Sequence, residues 1–195
     1  MEEEITSFPK RQDESHSIGA YGYLSSLEMS PRLGAIAAYI THLESPSVLD
    51  VGCGTGDLAS YISRETEYTG IDISVSAISN AMQRALPEKK QFLVADIHSY
   101  KSDINFSTVV WSGVGKGCAG KYNSAEEAWC KIITKMLAVL DDDGSLIIEC
   151  IQEYKESISD ICVRTLNMKL QCETQLSMVS EKTLEHSNRH IFLYK

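Results

Sequence analysis

The chain has 195 residues, 43% of them hydrophobic, which is enough to bury the core of one globular domain. Its formal net charge of −9 argues against a nucleic-acid partner, because gripping a phosphate backbone requires a basic surface. The first residues are acidic and polar, and no run of eighteen apolar residues occurs. We therefore expect no secretory signal and no membrane association, and we expect a cytoplasmic protein.

The predicted elements alternate between helix and strand in the first half of the chain. Residues 1–29 are expected to form a flexible segment or lid, within a single domain that spans 1–195. Ser30 as N-cap and Pro31 in the first turn are expected to begin a helix over 30–43 whose apolar residues share one face. Strands over 47–52, 68–73 and 90–96 follow, separated by a short helix around Leu58 and by a helix from Ser74 to Leu86.

The second half continues this alternation and then changes to a period of two. A strand at 107–114 precedes a helix that begins at Ser124, where Glu127 completes the spacing of a capping box. A turn at 141–144, a strand at 145–151 and a helix at 156–166 come next. Strands at 170–178 and 189–195 then end the chain with no helix between them.

This order of elements predicts an α/β fold. Five strand–helix units imply a doubly wound, mostly parallel sheet of seven strands, and the last two strands imply a terminal antiparallel hairpin. The six cysteines have no metal-ligand spacing, so we expect reduced thiols and no metal site.

The run "VLDVGCGTG" at 48–56 is the most informative stretch. Ligands of doubly wound sheets bind beyond the carboxyl ends of the strands, and here three alternating glycines follow the first strand. Glycine lets the backbone approach a bulky ligand and adopt positive φ, although a tight turn without a ligand would also use it.

Two later strands each end in an acid. Asp72 follows the second strand and can accept hydrogen bonds from both hydroxyls of a ribose, whereas Asp96 follows the third and can accept from the amine of adenine. Either residue could instead cap a helix or a turn. Together with the glycines, these acids favour a nucleoside-containing ligand.

From about Ser47 to Lys195 the chain resembles the class I S-adenosylmethionine-dependent methyltransferases, with "VLDVGCGTG" as the most specific element. The resemblance implies a Rossmann-like methyltransferase fold and S-adenosylmethionine as cofactor. It assigns cofactor contacts to the glycine loop, to the two acids with their following residues, and to the backbone after the fourth strand. These positions are Asp50, Gly52, Cys53, Gly54, Gly56, Asp72, Ile73, Asp96, Ile97, Trp111, Ser112 and Gly113.

A nicotinamide or flavin enzyme is the rival interpretation, since it also uses glycines and a ribose-binding acid. It requires G-x-G-x-x-G, whereas the glycines here alternate strictly, and the terminal hairpin also disfavours it.

The expected reaction is methyl transfer to an oxygen or nitrogen nucleophile of a small molecule by in-line displacement. A general base is needed only for a protonated acceptor, and the candidates are His98, Lys116, Tyr122 and Glu149, none of which stands out. Among these, His98 could equally be a solvated loop residue.

Substrate selection is expected from Tyr21 and Tyr23 and from the glycine-rich loop that contains Lys116 and Lys121. Those lysines could meet an anionic group of the acceptor, or the loop could be a solvated connection. The oligomeric state is not predicted. A domain that binds S-adenosylmethionine or S-adenosylhomocysteine as a partner or regulator, or a non-methylating enzyme with the same cofactor, is the alternative function.

Overall fold

A computed structural model describes residues 13–14, 29–115, 122–179 and 186–195. Its strands in chain order are β1 Ser47–Val51, β2 Glu67–Asp72, β3 Lys90–Val94, β4 Phe106–Val114, β5 Leu140–Ile151, β6 Leu170–Val179 and β7 His186–Tyr194. They form one sheet in the order β3-β2-β1-β4-β5-β7-β6. Strands β1 to β5 run parallel, and β7 pairs antiparallel with both β5 and β6, which confirms the predicted fold class.

In the described part of the chain, four α-helices of six residues or more flank the sheet. They are α1 Ser30–His42, α2 Val75–Met82, α3 Ala125–Leu137 and α4 Lys155–Asp160, with 3₁₀ turns at Leu58–Tyr61 and Gln152–Tyr154 and a π turn at Ile161–Thr165. Two of these helices are capped by the serine that precedes them. The Ser74 hydroxyl accepts from the Ala77 amide at the start of α2, and the Ser124 hydroxyl accepts from the Glu127 amide at the start of α3.

The core lies on both faces of the sheet, as the alternation of side chains along each strand requires. On β1, Val48 packs with Leu33 and Ile36 of α1, whereas the next residue, Leu49, packs on the opposite face with Trp129 of α3. Burial of each such side chain contributes about 1.5–3 kcal/mol. This two-sided packing leaves the carboxyl ends of the parallel strands as the rim on which the candidate site lies.

Several predicted boundaries differ from the observed ones, most of them by one to three residues. Helix α1 has Met29 as its N-cap, one residue before the predicted Ser30. Helix α2 ends at Met82 and not at Leu86, and the Arg84 side chain just beyond it donates to the Thr55 carbonyl in the loop after β1. The predicted turn at 141–144 is a bulge within β5, where Phe106 pairs with Leu140 and Thr108 pairs with Ser145.

The bulge depends on Gly144, because a Cβ there would lie 2.7 Å from the Leu140 side chain. The alternation predicted for β6 is also only partly correct. Met178 is buried, but Leu170 and Cys172 are exposed on this edge strand, where the register with β7 shifts between them.

Candidate functional site

The loop after β1 is shaped by glycines in the left-handed region. Gly52, Gly54 and Gly56 have φ of 71°, 54° and 74°. A Cβ on Gly56 would lie 2.6 Å from the Phe92 ring, so that position is restricted by packing, whereas a Cβ on Gly52 would meet no atom of the described residues within 4 Å. The Gly52 α-carbon therefore faces open space at the rim.

Contacts within the fold hold this loop in place. The amides of Gly52 and Cys53 donate to the Ile71 carbonyl at 2.8 and 3.0 Å. Arg84 donates from Nε to the Thr55 carbonyl at 2.6 Å and forms an ion pair with Asp57.

Asp50, the acid within the glycine motif, lies beneath the loop and is 3% exposed. The Tyr68 hydroxyl donates to its Oδ2 at 2.5 Å. Burial raises the pKa of Asp50 to about 6, although the Tyr68 hydrogen bond and the charge of Arg32 oppose the shift.

Asp72 at the end of β2 is held by two backbone amides. Its Oδ2 accepts from Gly54 at 3.0 Å, and its Oδ1 accepts from Ser74 at 2.9 Å. The cap of α2 is Ser74, so Asp72 is not the helix N-cap considered as its alternative role. Because a carboxylate has about four acceptor positions, each oxygen can accept one more hydrogen bond.

Asp13 adds a second carboxylate at the same turn. Its Oδ1 accepts from the Ser76 amide at 2.8 Å and from the Ser74 hydroxyl at 3.0 Å. Negative charge is favourable there, since Ser74 caps α2 and the Ser76 amide lies in the first turn of that helix.

The third acid, Asp96, lies in the turn that follows β3. Its Oδ1 accepts from the His98 amide at 2.9 Å, so the turn contact considered as its alternative role is present. Ile97 is buried and Ile73 half-buried at the neighbouring strand end. His98 Nε2 lies 3.1 Å from the Tyr122 hydroxyl, which brings two of the predicted general-base candidates together.

The end of β4 forms the other side of the rim. The Trp111 side chain is buried in the core, so only its backbone can serve a ligand there. Gly113 has φ of 74°, and among the residues that the structure describes a Cβ on it would meet no atom within 4 Å. Its amide donates to Glu149 Oε2 at 2.6 Å.

Glu149 joins two arginines in what we call the arginine cluster, made of Arg32, Arg189 and Glu149. Arg32 lies 3.4 Å from Glu149 Oε2, and Arg189 lies 3.1 Å from Oε1. Arg32 also donates to the Ser112 hydroxyl at 3.1 Å. Glu149 is fully buried, and the arginines are 5% and 6% exposed. These contacts argue against Glu149 as a general base.

Residues 43–190 of this chain match the sequence model of a protein family that is described as a methyltransferase domain. The chain belongs to this methyltransferase family. The family match confirms the resemblance to class I S-adenosylmethionine-dependent methyltransferases, which was inferred from the glycine motif and the two strand-end acids.

Among curated proteins, the methyltransferase domain is 29% identical over 92 residues to a malonyl-[acyl-carrier protein] O-methyltransferase of Salmonella typhimurium. That alignment covers 47% of this chain, which spans only 36% of the length of the relative.

Solved structures share its fold. Magnesium protoporphyrin IX methyltransferase from Synechocystis PCC 6803, with S-adenosylmethionine bound, has a TM-score of 0.66 at 17% identity over 87% of this chain and 81% of that one. The N-methyltransferase NodS from Bradyrhizobium japonicum WM9 has a TM-score of 0.64 at 16% identity over 86% and 99%. Together with the family match, these comparisons support S-adenosylmethionine as the cofactor.

The residues of the methyltransferase domain fit that cofactor. Gly52 and Gly113 both have positive φ and face open space. They follow neighbouring strands, since β1 pairs with β4, so the two open positions lie side by side on the rim. Asp72 presents oxygens that are fixed from below and can each accept from a ribose hydroxyl.

The structure does not describe four of the predicted site residues. Lys116, Lys121, Tyr21 and Tyr23 lie outside the described residues. Asp141, Asp142 and Asp143 are exposed on β5 at its amino end, away from the glycine loop. Within the described parts of the chain, no three His, Cys, Asp or Glu side chains are grouped to hold a metal, and no helix is long and apolar enough to cross a bilayer.

Sequence reasoning missed Arg32, Arg189, Asp13 and Arg84. A signal existed for Arg189, because it shares the inward face of β7 with Ile191 and Leu193. An arginine at a core position of a strand indicates a buried partner. No comparable pattern marks Asp13, whose partners lie more than 60 residues away.

Proposed function

We propose that this chain transfers a methyl group from S-adenosylmethionine to an oxygen or nitrogen atom of a small-molecule acceptor by in-line displacement. The observation that carries the proposal is the juxtaposition of Asp72, fixed by two amides, with the open face of Gly52. A rigid acceptor pair beside an unobstructed backbone suits a nucleoside joined to an amino acid.

The residues have distinct roles in this proposal. Asp72 accepts from the ribose hydroxyls, Asp96 and Ile97 border the adenine with Ile73, and Gly52 and Gly113 leave room for the methionine portion. Asp50 supplies negative charge beneath the loop. Positioning of this kind can contribute several kcal/mol to catalysis, because the reacting atoms are already aligned.

The cofactor supplies a sulfonium methyl that is already activated for displacement, so the protein must mainly align the acceptor and exclude water. A general base would be needed only for a protonated acceptor. His98 and Tyr122, which share a hydrogen bond, are the candidates for such a base, whereas Glu149 is held in ion pairs with Arg32 and Arg189.

For the acceptor itself, we propose recognition by Tyr21 and Tyr23 and by Lys116 and Lys121. The lysines would offset the negative charge of the protein beside its own site. If they do, replacing either lysine by alanine raises the acceptor KM and leaves cofactor affinity unchanged, and added salt has the same effect.

A binding or regulatory domain is the second candidate function. The specific observation in its favour is the commitment of Glu149 to two ion pairs and an amide, which leaves the β5 end without an available carboxylate base. Such a domain would retain the cofactor contacts but release no product.

The test is a product assay. The full chain is incubated with S-adenosylmethionine and a small-molecule extract of the cells that express it, and S-adenosylhomocysteine is measured over time. We expect formation that depends on the extract. Cofactor binding by calorimetry without S-adenosylhomocysteine formation would favour the regulatory domain, and binding of NADH instead would overturn the proposal.

A further inference from the structure

The arginine cluster lies directly behind the open part of the rim. Gly113 faces open space on one side, and its amide is held by Glu149 on the other. Arg32 Nη1 reaches both Glu149 and the neighbouring Ser112 hydroxyl. Arg189 enters from β7, opposite Ile151 at the end of β5. A ligand in front of Gly113 would therefore be separated by only one residue from each of two guanidinium groups: by Ser112 from that of Arg32, and by Glu149 from that of Arg189.

Glu149 divides its oxygens between these groups. Oε1 accepts from Arg189 and Oε2 from Arg32, so neither arginine receives from Glu149 the two parallel hydrogen bonds that a guanidinium can make with one carboxylate. In addition, Arg189 Nε is buried with no hydrogen-bond partner among the described residues. A buried donor of this kind costs free energy until an acceptor reaches it.

Three acids of the rim are meanwhile engaged with the protein, and the free acceptor positions of Asp72 are assigned to the ribose of the cofactor. Asp72 accepts from two amides, Asp50 accepts from Tyr68, and Glu149 accepts from two arginines and an amide. An acceptor that must lose a proton would find these carboxylates committed. An acceptor that is already an anion needs none of them.

We propose that the methyl acceptor is a carboxylate, oriented by the arginine cluster beside Gly113, and that the product is a methyl ester. This inference rests on the proposed function and specifies its substrate class. A planar carboxylate matches the geometry of a guanidinium, which orients one oxygen while the other remains available to react.

The step balances without a proton. A lone pair of the carboxylate oxygen forms the new C–O bond to the methyl carbon, while the C–S bond breaks and its electron pair remains on sulfur. One negative and one positive group become a neutral ester and a neutral thioether. The ester no longer carries the negative charge that the guanidiniums attract. The same reaction therefore weakens binding of the product and favours its release.

The first experiment identifies the acceptor atom. The full chain is incubated with methyl-tritiated S-adenosylmethionine and the small-molecule extract, and the labelled product is treated with mild alkali. We expect the label to be released as volatile methanol, as for a methyl ester. Label that remains on the product would overturn this inference and leave the proposed function standing. If neither labelled product nor S-adenosylhomocysteine forms, the proposed function fails, and this inference fails with it.

The second experiment tests the arginines. Arg189→Gln should raise the acceptor KM about tenfold or more, while the cofactor Kd changes less than about twofold, and Arg189→Lys should recover part of the loss. Arg164→Gln is the matched control, since Arg164 forms only an exposed pair with Asp160. A raised cofactor Kd would assign Arg189 to the carboxylate of the cofactor and overturn the inference.

Circular dichroism checks that Arg189→Gln folds. If it does not, Ser112→Ala replaces it, because this variant removes only a hydroxyl that accepts from Arg32. The expected effect is about threefold in the acceptor KM, from a single hydrogen bond. An unchanged acceptor KM would overturn the role of the cluster.

Discussion

The two halves of the rim are built in different ways. The half that we propose binds the cofactor, at the ends of β1, β2 and β3, consists mainly of backbone amides and acids from short stretches that each follow one strand. We call it the cofactor half. The half that we propose binds the acceptor, at the ends of β4, β5 and β7, joins side chains that are far apart in sequence, and we call it the acceptor half. Arg32 and Glu149 are 117 residues apart, and Arg189 and Glu149 are 40 apart.

This difference separates what is general from what is particular to the chain. A strand followed by glycines creates the cofactor half wherever it occurs in a doubly wound sheet. The acceptor half exists only because the terminal hairpin brings β7 beside β5 and because α1 packs over both. We therefore expect the largest effect in the acceptor half to be on stability, and the largest effect in the cofactor half to be on cofactor affinity.

The largest effect is expected for Glu149→Ala in the acceptor half. Removal of this carboxylate leaves two buried guanidiniums without their shared partner, and breaking a buried pair costs about 3–5 kcal/mol of unfolding free energy. Urea denaturation measures the loss. Asp142→Ala on the exposed part of the same strand is the control and should change stability by less than about 0.5 kcal/mol. Similar stabilities of the two variants would contradict the importance of the cluster.

The next largest effect is expected for Asp72→Ala in the cofactor half. Two hydrogen bonds to a charged acceptor contribute about 1.5–3 kcal/mol each, so the affinity for S-adenosylmethionine should fall by at least about a hundredfold. Calorimetry measures it, with Asp141→Ala as the control on the opposite end of the sheet. An unchanged Kd would remove Asp72 from the ribose.

These two residues also illustrate what could be predicted from sequence. The place of Asp72 at a strand end and the sheet with its hairpin both follow from periodicity, so local patterns were sufficient to predict them. Glu149 was recognised only as a possible base, because nothing near it in sequence indicates two arginines. The bulge at 141–144 was predicted as a turn, since a glycine after three acids does not reveal that Leu140 already pairs with Phe106.

A smaller effect is expected from pH in the cofactor half. The pKa of Asp50 is raised to about 6, mainly by burial, so at pH 5 only about one carboxyl in ten is ionised before binding. The ammonium and sulfonium of the cofactor favour the ionised form, and the cofactor Kd should therefore rise about tenfold from pH 7 to pH 5. Asp50→Asn should flatten this dependence. A wild-type Kd that is constant over the same range would exclude Asp50 from cofactor binding.

The smallest effect is expected for Arg84→Ala, which removes a side-chain brace from the glycine loop. Arg84 contacts the Thr55 carbonyl and Asp57, but the pair is partly exposed, and Gly52 and Cys53 are held independently by the Ile71 carbonyl. We expect about a threefold rise in the cofactor Kd and a loss of about 1 kcal/mol in stability. Calorimetry and urea denaturation measure both, with Arg164→Ala as the exposed control. Because the cofactor half is fixed by backbone contacts, a hundredfold loss of affinity in Arg84→Ala would show that this half, too, depends on long-range side chains.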